Sequence, residues 1–338
     1  MKNTIYILLV ILALSVLGCE RLIFEPDPLN DPESIFEELW NTFNTDYAPF
    51  EQRGVNWQEQ YDLCRPLVNQ YTTDDELQEI IRQMLSSLND MHVKFTVPGK
   101  KLFCSNIYFN DKPGYDLFAL DLITSGYLTS EARELGDGGI VMGWIGTVGY
   151  VHFKWIGDNF LDMDKVLDSF TDADGLIIDL RHNGGGDFTY FYSEIGRLTE
   201  EDRYTHRSKT KNGPGKEDFT EWHEWYIHPS GKYFNKPLVL LTDRYTGSAA
   251  ERATMALKTL PNLVHVGDTT NGGHSTMIGK ELVNGWYFTV CPQIVEFMDG
   301  KSYEGIGMIP DISVQNTEED MDAGQDRTLE MALERFVN

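Results

Sequence analysis

The sequence has few basic residues and few cysteines for its length. Its 338 residues include 28 Lys and Arg against 53 Asp and Glu, so the formal net charge is -25. Proteins that bind nucleic acid without sequence preference neutralise phosphates with Lys and Arg, so this composition argues against that class. The four cysteines include no C-x-x-C pair, which argues against a cysteine-based zinc site and against a disulfide-rich scaffold.

Long hydrophobic runs are also lacking. The apolar run from Ile5 to Leu17 is about 13 residues long, whereas a bilayer-spanning helix needs about 17 to 25. A run of this length at the N-terminus is typical of a secretory signal. We therefore expect residues 1–18 to be removed from the mature protein.

The run ends in a cysteine. Val16-Leu17-Gly18-Cys19 resembles the cleavage box of bacterial lipoproteins, in which the cysteine becomes the lipidated first residue. This resemblance implies a lipid anchor at Cys19 and a place in the bacterial cell envelope, with residues 19–31 as a tether. Ordinary signal cleavage near Gly18 is the alternative.

The signatures of several enzyme classes are missing. His223-Glu224 is followed by Ile227 where the zinc-peptidase helix needs a second His, and no phosphate-binding G-x-x-x-x-G-K-[ST] is present. No G-x-G-x-x-G follows a predicted strand, and Gly247-Ser248 lacks the flanks of G-x-S-x-G. We expect neither a metal nor a cofactor.

Periodic patterns predict an α/β protein with an N-terminal helical domain. Apolar residues at helical spacing predict three helices within residues 32–92; the second covers Trp57 to Tyr71 and the third starts at Thr73-x-x-Glu76, a capping box. Residues 93–145 contain short β-rich runs. In residues 146–338 short apolar runs alternate with helical patterns, as in a mixed sheet covered by helices.

Residues 146–338 contain three predicted strands and three predicted helices, and helices follow the first two strands as in crossover units. The strands are Gly175–Leu180, Pro237–Thr242 and Leu263–Val266, and the helices are Phe188–Leu198, Ala249–Leu260 and Asp326–Phe336. Thr199–Asn235, between two of these units, is polar, charged and long for a loop.

Three segments carry groups that could take part in chemistry. Asp179 to Gly186 reads DLRHNGGG after a strand, which indicates either an anion-binding nest of backbone N–H groups or a tight turn. Ser248 in TGSAAE stands at the first turn of a helix, as a nucleophile or as a cap paired with Glu251. His92 in Asp90-Met91-His92 is a candidate proton acceptor or a structural residue.

Four motifs in order resemble the C-terminal processing and tricorn-type serine peptidases, a family that includes the interphotoreceptor retinoid-binding proteins. They are DLRHNGGG, TGSAAE, GDTTNGG from Gly267 to Gly273, and GIGMIPD from Gly305 to Asp311. The resemblance implies a crotonase-like ββα catalytic domain over residues 146–338, an N-terminal three-helix bundle and a short β-rich connector that has no room for a full PDZ module.

The resemblance also implies site residues. The processing branch has a Lys where this chain has Gly273, and a Gly cannot accept a proton. The tricorn-like branch implies Ser248 as nucleophile, His92 as general base and Glu304 as orienting carboxylate. Met91 and Val93 stand where the family often has Ser and Thr.

The implied oxyanion hole consists of the backbone N–H groups of Gly184, Gly185 and Ala249. His182 and His274 are rival bases. With an ordinary His pKa near ~6.5, activity is expected to rise around that pH.

The predicted activity is that of a serine endopeptidase acting on a peptide or protein substrate, without nucleic acid. A non-catalytic ligand- or peptide-binding protein on the same fold is the alternative, and a latent peptidase that needs a partner is a third possibility.

Overall fold

The structure, a computed structural model, describes residues 29–337. The predicted signal peptide, Cys19 and most of the predicted tether lie outside the described residues. Within residues 29–337, no helix combines the length and the apolar character that crossing a bilayer requires.

Two helices are long, with 15 and 13 residues, and the others have nine residues or fewer. In chain order they are α1 (Pro32–Asp46), α2 (Trp57–Cys64), α3 (Asp74–Ser86), α4 (Ile107–Asp111), α5 (Leu120–Leu122), α6 (Met163–Ser169), α7 (Phe188–Glu194), α8 (Ala249–Leu257), α9 (Glu318–Asp322) and α10 (Arg327–Leu333).

The strands form three sheets. They are β1 (Lys94–Thr96), β2 (Phe103–Cys104), β3 (Arg133–Leu135), β4 (Ile140–Ile145), β5 (Val148–Phe153), β6 (Gly175–Asp179), β7 (Arg203–Thr210), β8 (His223–Ile227), β9 (Leu238–Thr242), β10 (Leu263–Gly267), β11 (Ile278–Glu281), β12 (Tyr287–Val290), β13 (Gln293–Phe297) and β14 (Ile312–Ser313).

The largest sheet has the order β14-β10-β9-β6-β5-β4-β3 and is mixed. Strands β5, β6, β9, β10 and β14 pair in parallel, whereas β3 and β4 are antiparallel. Its central strands β5, β6 and β9 are buried on both faces: α6, α7 and α8 pack on one face and α10 packs on the other. The mixed α/β fold predicted from the sequence is confirmed.

The parallel pairing of β6 with β9 positions the two motif turns. Asp179, at the end of β6, is in register with Leu241 near the end of β9. Both glycine-containing turns therefore leave neighbouring strands at the same edge of the sheet, which is where ligand sites of parallel sheets form.

The N-terminal helices pack on a small sheet with the order β11-β12-β1-β2. The core of this region joins α1 and α3 to β12: the rings of Phe43 and Phe288 stack with centroids 5.6 Å apart, and Leu77 and Val290 are buried in the same cluster. A hairpin from far along the chain thus completes the core of the helical region. Residues 90–92 enter the small sheet just before β1.

Several predicted helices end earlier in the structure than expected. The second helix was expected to reach Tyr71, but α2 ends at Cys64 and a 3₁₀ turn follows over Arg65–Leu67. Pro66 has no N–H to continue the α-helical bonding, so the helix stops there. Helices α7 and α8 also end earlier than predicted, at Glu194 and Leu257.

The polar segment Thr199–Asn235 has secondary structure of its own. It contains β7 and β8, which form a three-stranded sheet with β13 in the order β13-β7-β8. The partner strand β13 lies some 80 residues later in the sequence. Local composition therefore could not indicate this sheet.

Candidate active site

Ser248 occupies a strained backbone position between β9 and α8. Its φ is 57° and its ψ is -123°, a backbone conformation that residues other than glycine rarely adopt. Such a conformation costs about 1 to 3 kcal/mol and is found mainly at functional sites. Its N–H donates to Glu251 Oε2 at 3.3 Å, while its hydroxyl makes no hydrogen bond to any residue in 29–337. Ser248 and Glu251 therefore have the arrangement of a capping box, in which the Glu251 side chain accepts the Ser248 N–H while the hydroxyl is left unbonded.

The glycine turn after β6 lies directly against Ser248. Gly185 has a φ of 98°, and a Cβ on it would lie 2.6 Å from Ser248 Cβ and 2.7 Å from the Ala249 nitrogen. The Gly247 N–H donates to the Asn183 carbonyl oxygen at 3.0 Å, which holds the two turns together. Only a glycine permits this contact.

The predicted amide donors differ in their bonding. The Gly185 N–H donates to Asn183 Oδ1 at 2.9 Å. The N–H groups of Gly184, Gly186 and Ala249 have no acceptor among the described residues. Gly186 and Ala249 line the cleft that contains Ser248, whereas Gly184 does not.

A cleft of about 280 Å³ brings Ser248 and His92 together from distant parts of the chain. Its lining residues are His92, Gly186, Asp187, Phe188, Ser248, Ala249, Arg252, His274, Ser275, Thr276 and Met277. The cleft thus contains a hydroxyl without a hydrogen bond, two imidazoles and two unbonded N–H groups.

His92 is buried and held through its backbone. Its N–H donates to Asp90 Oδ1 at 2.8 Å, and its carbonyl oxygen accepts from the Thr289 hydroxyl. The ring Nδ1 lies 3.9 Å from Asp90 Oδ1 and has no hydrogen bond in the described part of the chain. Burial lowers the pKa of His92 to about 4, although the nearby Asp90 opposes the shift. The imidazole is therefore neutral at pH 7 and can accept a proton.

Asp90 is buried and contacts several polar side chains. It accepts from the Tyr47 hydroxyl at 2.8 Å and from Cys291 Sγ at 3.2 Å, and Arg53 Nε lies 3.3 Å away. Burial by itself would raise the pKa of Asp90, but the charge of Arg53 and the hydrogen bonds from the His92 N–H and the Tyr47 hydroxyl lower it below the ordinary value. The carboxyl is therefore ionised at neutral pH.

Asp90, His92 and Cys291 form a cluster close enough to hold a metal ion, but their chemistry does not suit one. Their ligand atoms lie within 4.8 Å of one another. Burial and the neighbouring Asp90 raise the pKa of Cys291 well above its usual value, so the thiol is protonated and donates to the carboxylate. The guanidinium of Arg53, 3.3 Å from Asp90, already supplies a positive charge beside this carboxylate.

Glu304 does not contact His92 in the structure. One of its oxygens lies 2.5 Å from Arg53 Nη2, and the other accepts the N–H groups of His274 at 2.9 Å and Ser275 at 3.0 Å. Arg53 also contacts Asp90, so it links the two carboxylates. Burial raises the pKa of Glu304, and Arg53 opposes the shift.

The sequence analysis missed two of these residues. Asp90 was noted only as a neighbour of His92, where its spacing of two residues could have suggested a contact. Arg53 has no local signal, because it lies in a turn between α1 and α2 and meets Glu304 only through the fold.

The rival bases lie in different places. His274 lines the cleft, and both of its buried ring nitrogens lack hydrogen bonds in the described chain; Nε2 lies 3.5 Å from Glu251 Oε1. His182 lines a separate cavity, stacked on Tyr115 with ring centroids 4.3 Å apart. The cleft therefore contains two of the three candidate imidazoles.

Gly273, at the position of the processing-branch Lys, has no room for a side chain. A Cβ there would lie 2.6 Å from Met91 Cγ and 3.5 Å from His92 Nδ1. Met91 therefore takes the space that the first atoms of a Lys side chain would need.

Known proteins with similar sequence or fold are peptidases and a lipoprotein. Residues 147–314 match Peptidase family S41, and residues 28–86 match the Tricorn protease C1 domain. A putative peptidase from Parabacteroides merdae is 27% identical, with a TM-score of 0.83 over 92% of this chain and 98% of that one.

Two further structures share the fold at lower identity. Mature CPAF complexed with lactacystin is 12% identical, with a TM-score of 0.67 over 90% of this chain and 97% of that chain. A lipoprotein from Streptococcus agalactiae is 15% identical, with a TM-score of 0.51 over 93% of this chain and 99% of that chain. The chain belongs to the C-terminal processing and tricorn-type family of serine peptidases, peptidase family S41.

Proposed function

We propose that this peptidase is an endopeptidase in which Ser248 is the nucleophile and His92 the general base. The observation that carries the proposal is that the unbonded hydroxyl of Ser248, on a strained backbone, and the neutral imidazole of His92 line one cleft. Ser248 Oγ attacks the peptide carbonyl carbon while its proton passes to His92. The imidazolium then protonates the leaving amine, and water hydrolyses the acyl-enzyme by the same transfers in reverse.

The oxyanion of the tetrahedral intermediate is stabilised, in this proposal, by Ala249 N–H and by the glycine turn. Ala249 follows the nucleophile and begins α8, where unbonded N–H groups favour negative charge. In the turn, the predicted donors are Gly184 and Gly185. Since Gly185 N–H already donates to Asn183, the unbonded N–H of Gly186 in the cleft is a further candidate. Loss of one such donor typically costs about 100- to 1,000-fold in rate.

The two carboxylates have different proposed roles. Asp90 lies near enough to stabilise the imidazolium of His92 by its charge. Glu304, predicted to orient His92, instead acts at one remove: it holds Arg53 against Asp90 and fixes the backbone of His274 and Ser275. In this arrangement Glu304 is a positioning residue.

Labelling by a fluorophosphonate probe tests the nucleophile and the base. Wild type should be labelled, Ser248→Ala should not, and His92→Ala should lose about 100- to 10,000-fold in labelling rate, the usual contribution of a general base. His182→Ala serves as the control because its ring lies outside the cleft.

Each other outcome of the labelling experiment has a definite meaning. An equal loss in His274→Ala with normal labelling of His92→Ala would assign the base to His274. Absence of Ser248-dependent labelling would favour the non-catalytic binding protein. Labelling without turnover of casein would indicate the latent peptidase.

We also propose that Cys19 carries a lipid anchor that holds the protein in a bacterial cell envelope. The support is the Val16–Cys19 box behind an apolar run, together with the fold shared with a protein described as a lipoprotein. Metabolic labelling with an alkynyl fatty acid should mark wild type and not Cys19→Ala. Equal labelling of the two proteins, or none, would contradict the anchor.

A further inference from the structure

Arg252 is a buried arginine that has no carboxylate partner. It lies in α8, four residues after Ser248, and is 2% exposed. It lines the same cleft as Ser248 and His92. No Asp or Glu oxygen of residues 29–337 lies within 4.0 Å of its guanidinium, although every other buried Arg in this region, such as Arg53 and Arg181, is paired.

The bonds of the Arg252 guanidinium leave one donor free. Nε and Nη2 donate to the His274 carbonyl oxygen at 3.0 and 2.8 Å, and Nη2 also donates to Gln293 Oε1 at 2.7 Å. Nη1 donates to His206 Nε2 at 3.1 Å. Since a guanidinium has five N–H groups and four of them are in use, one N–H of Nη1 remains, and the three acceptors are all uncharged.

A buried charge without a counter-charge is unfavourable, so its presence needs a reason. Glu251, its neighbour in sequence, is bonded to Thr270 and to the N–H groups of Gly272 and Gly273. Burial lowers the pKa of Arg252 to about 10, which leaves it protonated at pH 7. The charge therefore stays in the cleft without a carboxylate partner, and the Phe188 ring, whose centroid lies 4.6 Å from the guanidinium carbon, packs against it.

Among the described residues that line the cleft, Arg252 is the one Arg or Lys. The lining carboxylate is Asp187, which is exposed and accepts both the N–H and the hydroxyl of Thr189, at 3.0 and 2.6 Å. Burial lowers the pKa values of His92 and His274 to about 4, so both are uncharged at neutral pH. A substrate in the cleft thus meets a single buried cation one helical turn from the nucleophile.

We infer that Arg252 determines specificity by binding a carboxylate of the substrate, and that this carboxylate is the side chain of an Asp or Glu beside the scissile bond. The inference rests on the proposed function, because it places the substrate at Ser248. The free N–H of Nη1 donates to the carboxylate, and the guanidinium supplies the opposite charge.

Binding to Ser248→Ala tests the inference without requiring turnover. Pairs of fluorescent peptides that differ by Glu against Gln at one position are titrated by anisotropy, the position being moved along the peptide. We expect one position at which Glu binds about tenfold or more tightly than Gln, the size of effect expected for one hydrogen bond to a charged group. C-terminally amidated peptides separate a side-chain carboxylate from a terminal one, and a preference that disappears on amidation would overturn the side-chain assignment.

Variants at Arg252 and a matched control complete the test. Arg252→Met in the Ser248→Ala background should remove the preference for Glu, Arg252→Lys should retain part of it, and Arg133→Met should retain all of it, because Arg133 is exposed and lies outside the cleft. Circular dichroism and thermal melting verify folding. If Arg252→Met does not fold, the preference for Glu over Gln is compared between Arg252→Lys and Arg252, both in the Ser248→Ala background. An unchanged preference in Arg252→Lys then overturns the inference.

The two proposals fail separately. Equal affinity for Glu and Gln peptides at every position, or a preference that survives in folded Arg252→Met, overturns the role of Arg252 and leaves the peptidase proposal intact. If the peptides with Glu bind more tightly but the wild-type protein neither reacts with the fluorophosphonate probe nor cleaves peptides, the proposed activity is overturned. The carboxylate site at Arg252 then remains.

Discussion

At the scale of single residues, burial changes the expected chemistry of the proposed base. An ordinary His would titrate near ~6.5, and the sequence suggested an activity that rises around that pH. In the structure His92 is 3% exposed, and the cost of burying its charged form outweighs the attraction of Asp90. The lowered pKa means that the base is in its acceptor form over a wider pH range.

We therefore predict that kcat/KM is nearly constant from about pH 5 to 7 and falls below pH 5. His92 must be unprotonated to accept the Ser248 proton, and its pKa of about 4 places the protonated form on the acid side. Peptide cleavage at constant ionic strength measures the profile, and circular dichroism at each pH separates loss of activity from acid unfolding. An acidic limb centred near pH 6.5 would show that His92 is more hydrated than the structure indicates, or that another group is titrating.

At the scale of elements, the site depends on contact between two turns. The turn after β6 and the turn after β9 meet where Gly185 lies against Ser248 and Ala249. Each turn is a short connection whose geometry is set by residues with positive φ: Gly185 and Gly186 in one and Ser248 in the other. The relative position of the two turns decides whether the Ser248 hydroxyl and the backbone N–H groups of the glycine turn face the same point in the cleft.

Gly185→Ala should separate the two turns and reduce fluorophosphonate labelling by about 100-fold or more, the effect of a lost oxyanion donor. The added methyl group would lie 2.6 Å from Ser248 Cβ and 2.7 Å from the Ala249 nitrogen, so one of the backbones must move.

Gly146→Ala is the matched control for Gly185→Ala. Gly146 has a φ of 60°, and a Cβ there meets no atom within 4 Å. It carries the conformational penalty alone, about 1 kcal/mol, and should label like wild type. Comparable loss of labelling in both variants would mean that backbone strain, and not the contact with Ser248, is responsible.

At the scale of the whole molecule, buried ion pairs connect parts of the chain that are distant in sequence. Arg181, after β6, is bonded to Asp179 and to Asp326, the N-cap residue of α10; the Nη1 distances to both Asp326 oxygens are 2.9 Å. Asn316 Nδ2 also donates to Asp326, at 3.1 Å. This contact attaches the C-terminal helix to the edge of the sheet from which the glycine turn leaves.

Asp326→Asn should lower the free energy of unfolding by about 3 to 5 kcal/mol, because it removes one carboxylate from a buried pair and leaves the Arg181 charge only partly compensated. Urea denaturation followed by fluorescence measures the change. Asp322→Asn makes the same substitution at an exposed position without an ion pair and should stay within about 0.5 kcal/mol of wild type. A small effect of Asp326→Asn would show that Asp179 alone compensates the charge.

Local patterns in the sequence were sufficient for the fold class and for the turns that carry the candidate site. The capping box at Thr73 and Glu76 starts α3 as predicted, and the short apolar runs became the parallel strands β6, β9 and β10. These features could be predicted because caps, apolar periodicity and glycine turns act over a few residues. The sequence also contained both readings of Ser248, as a cap and as a nucleophile.

Tertiary structure alone decided which groups meet. The pairing of Arg53 with both Asp90 and Glu304, the sheet formed by β13 with β7, and the buried Arg252 without a carboxylate all join segments far apart in the chain. No periodic pattern encodes such contacts, because they arise from the packing of whole elements. The pKa of His92 belongs to this group as well, since the exclusion of water around the ring depends on every segment packed over it.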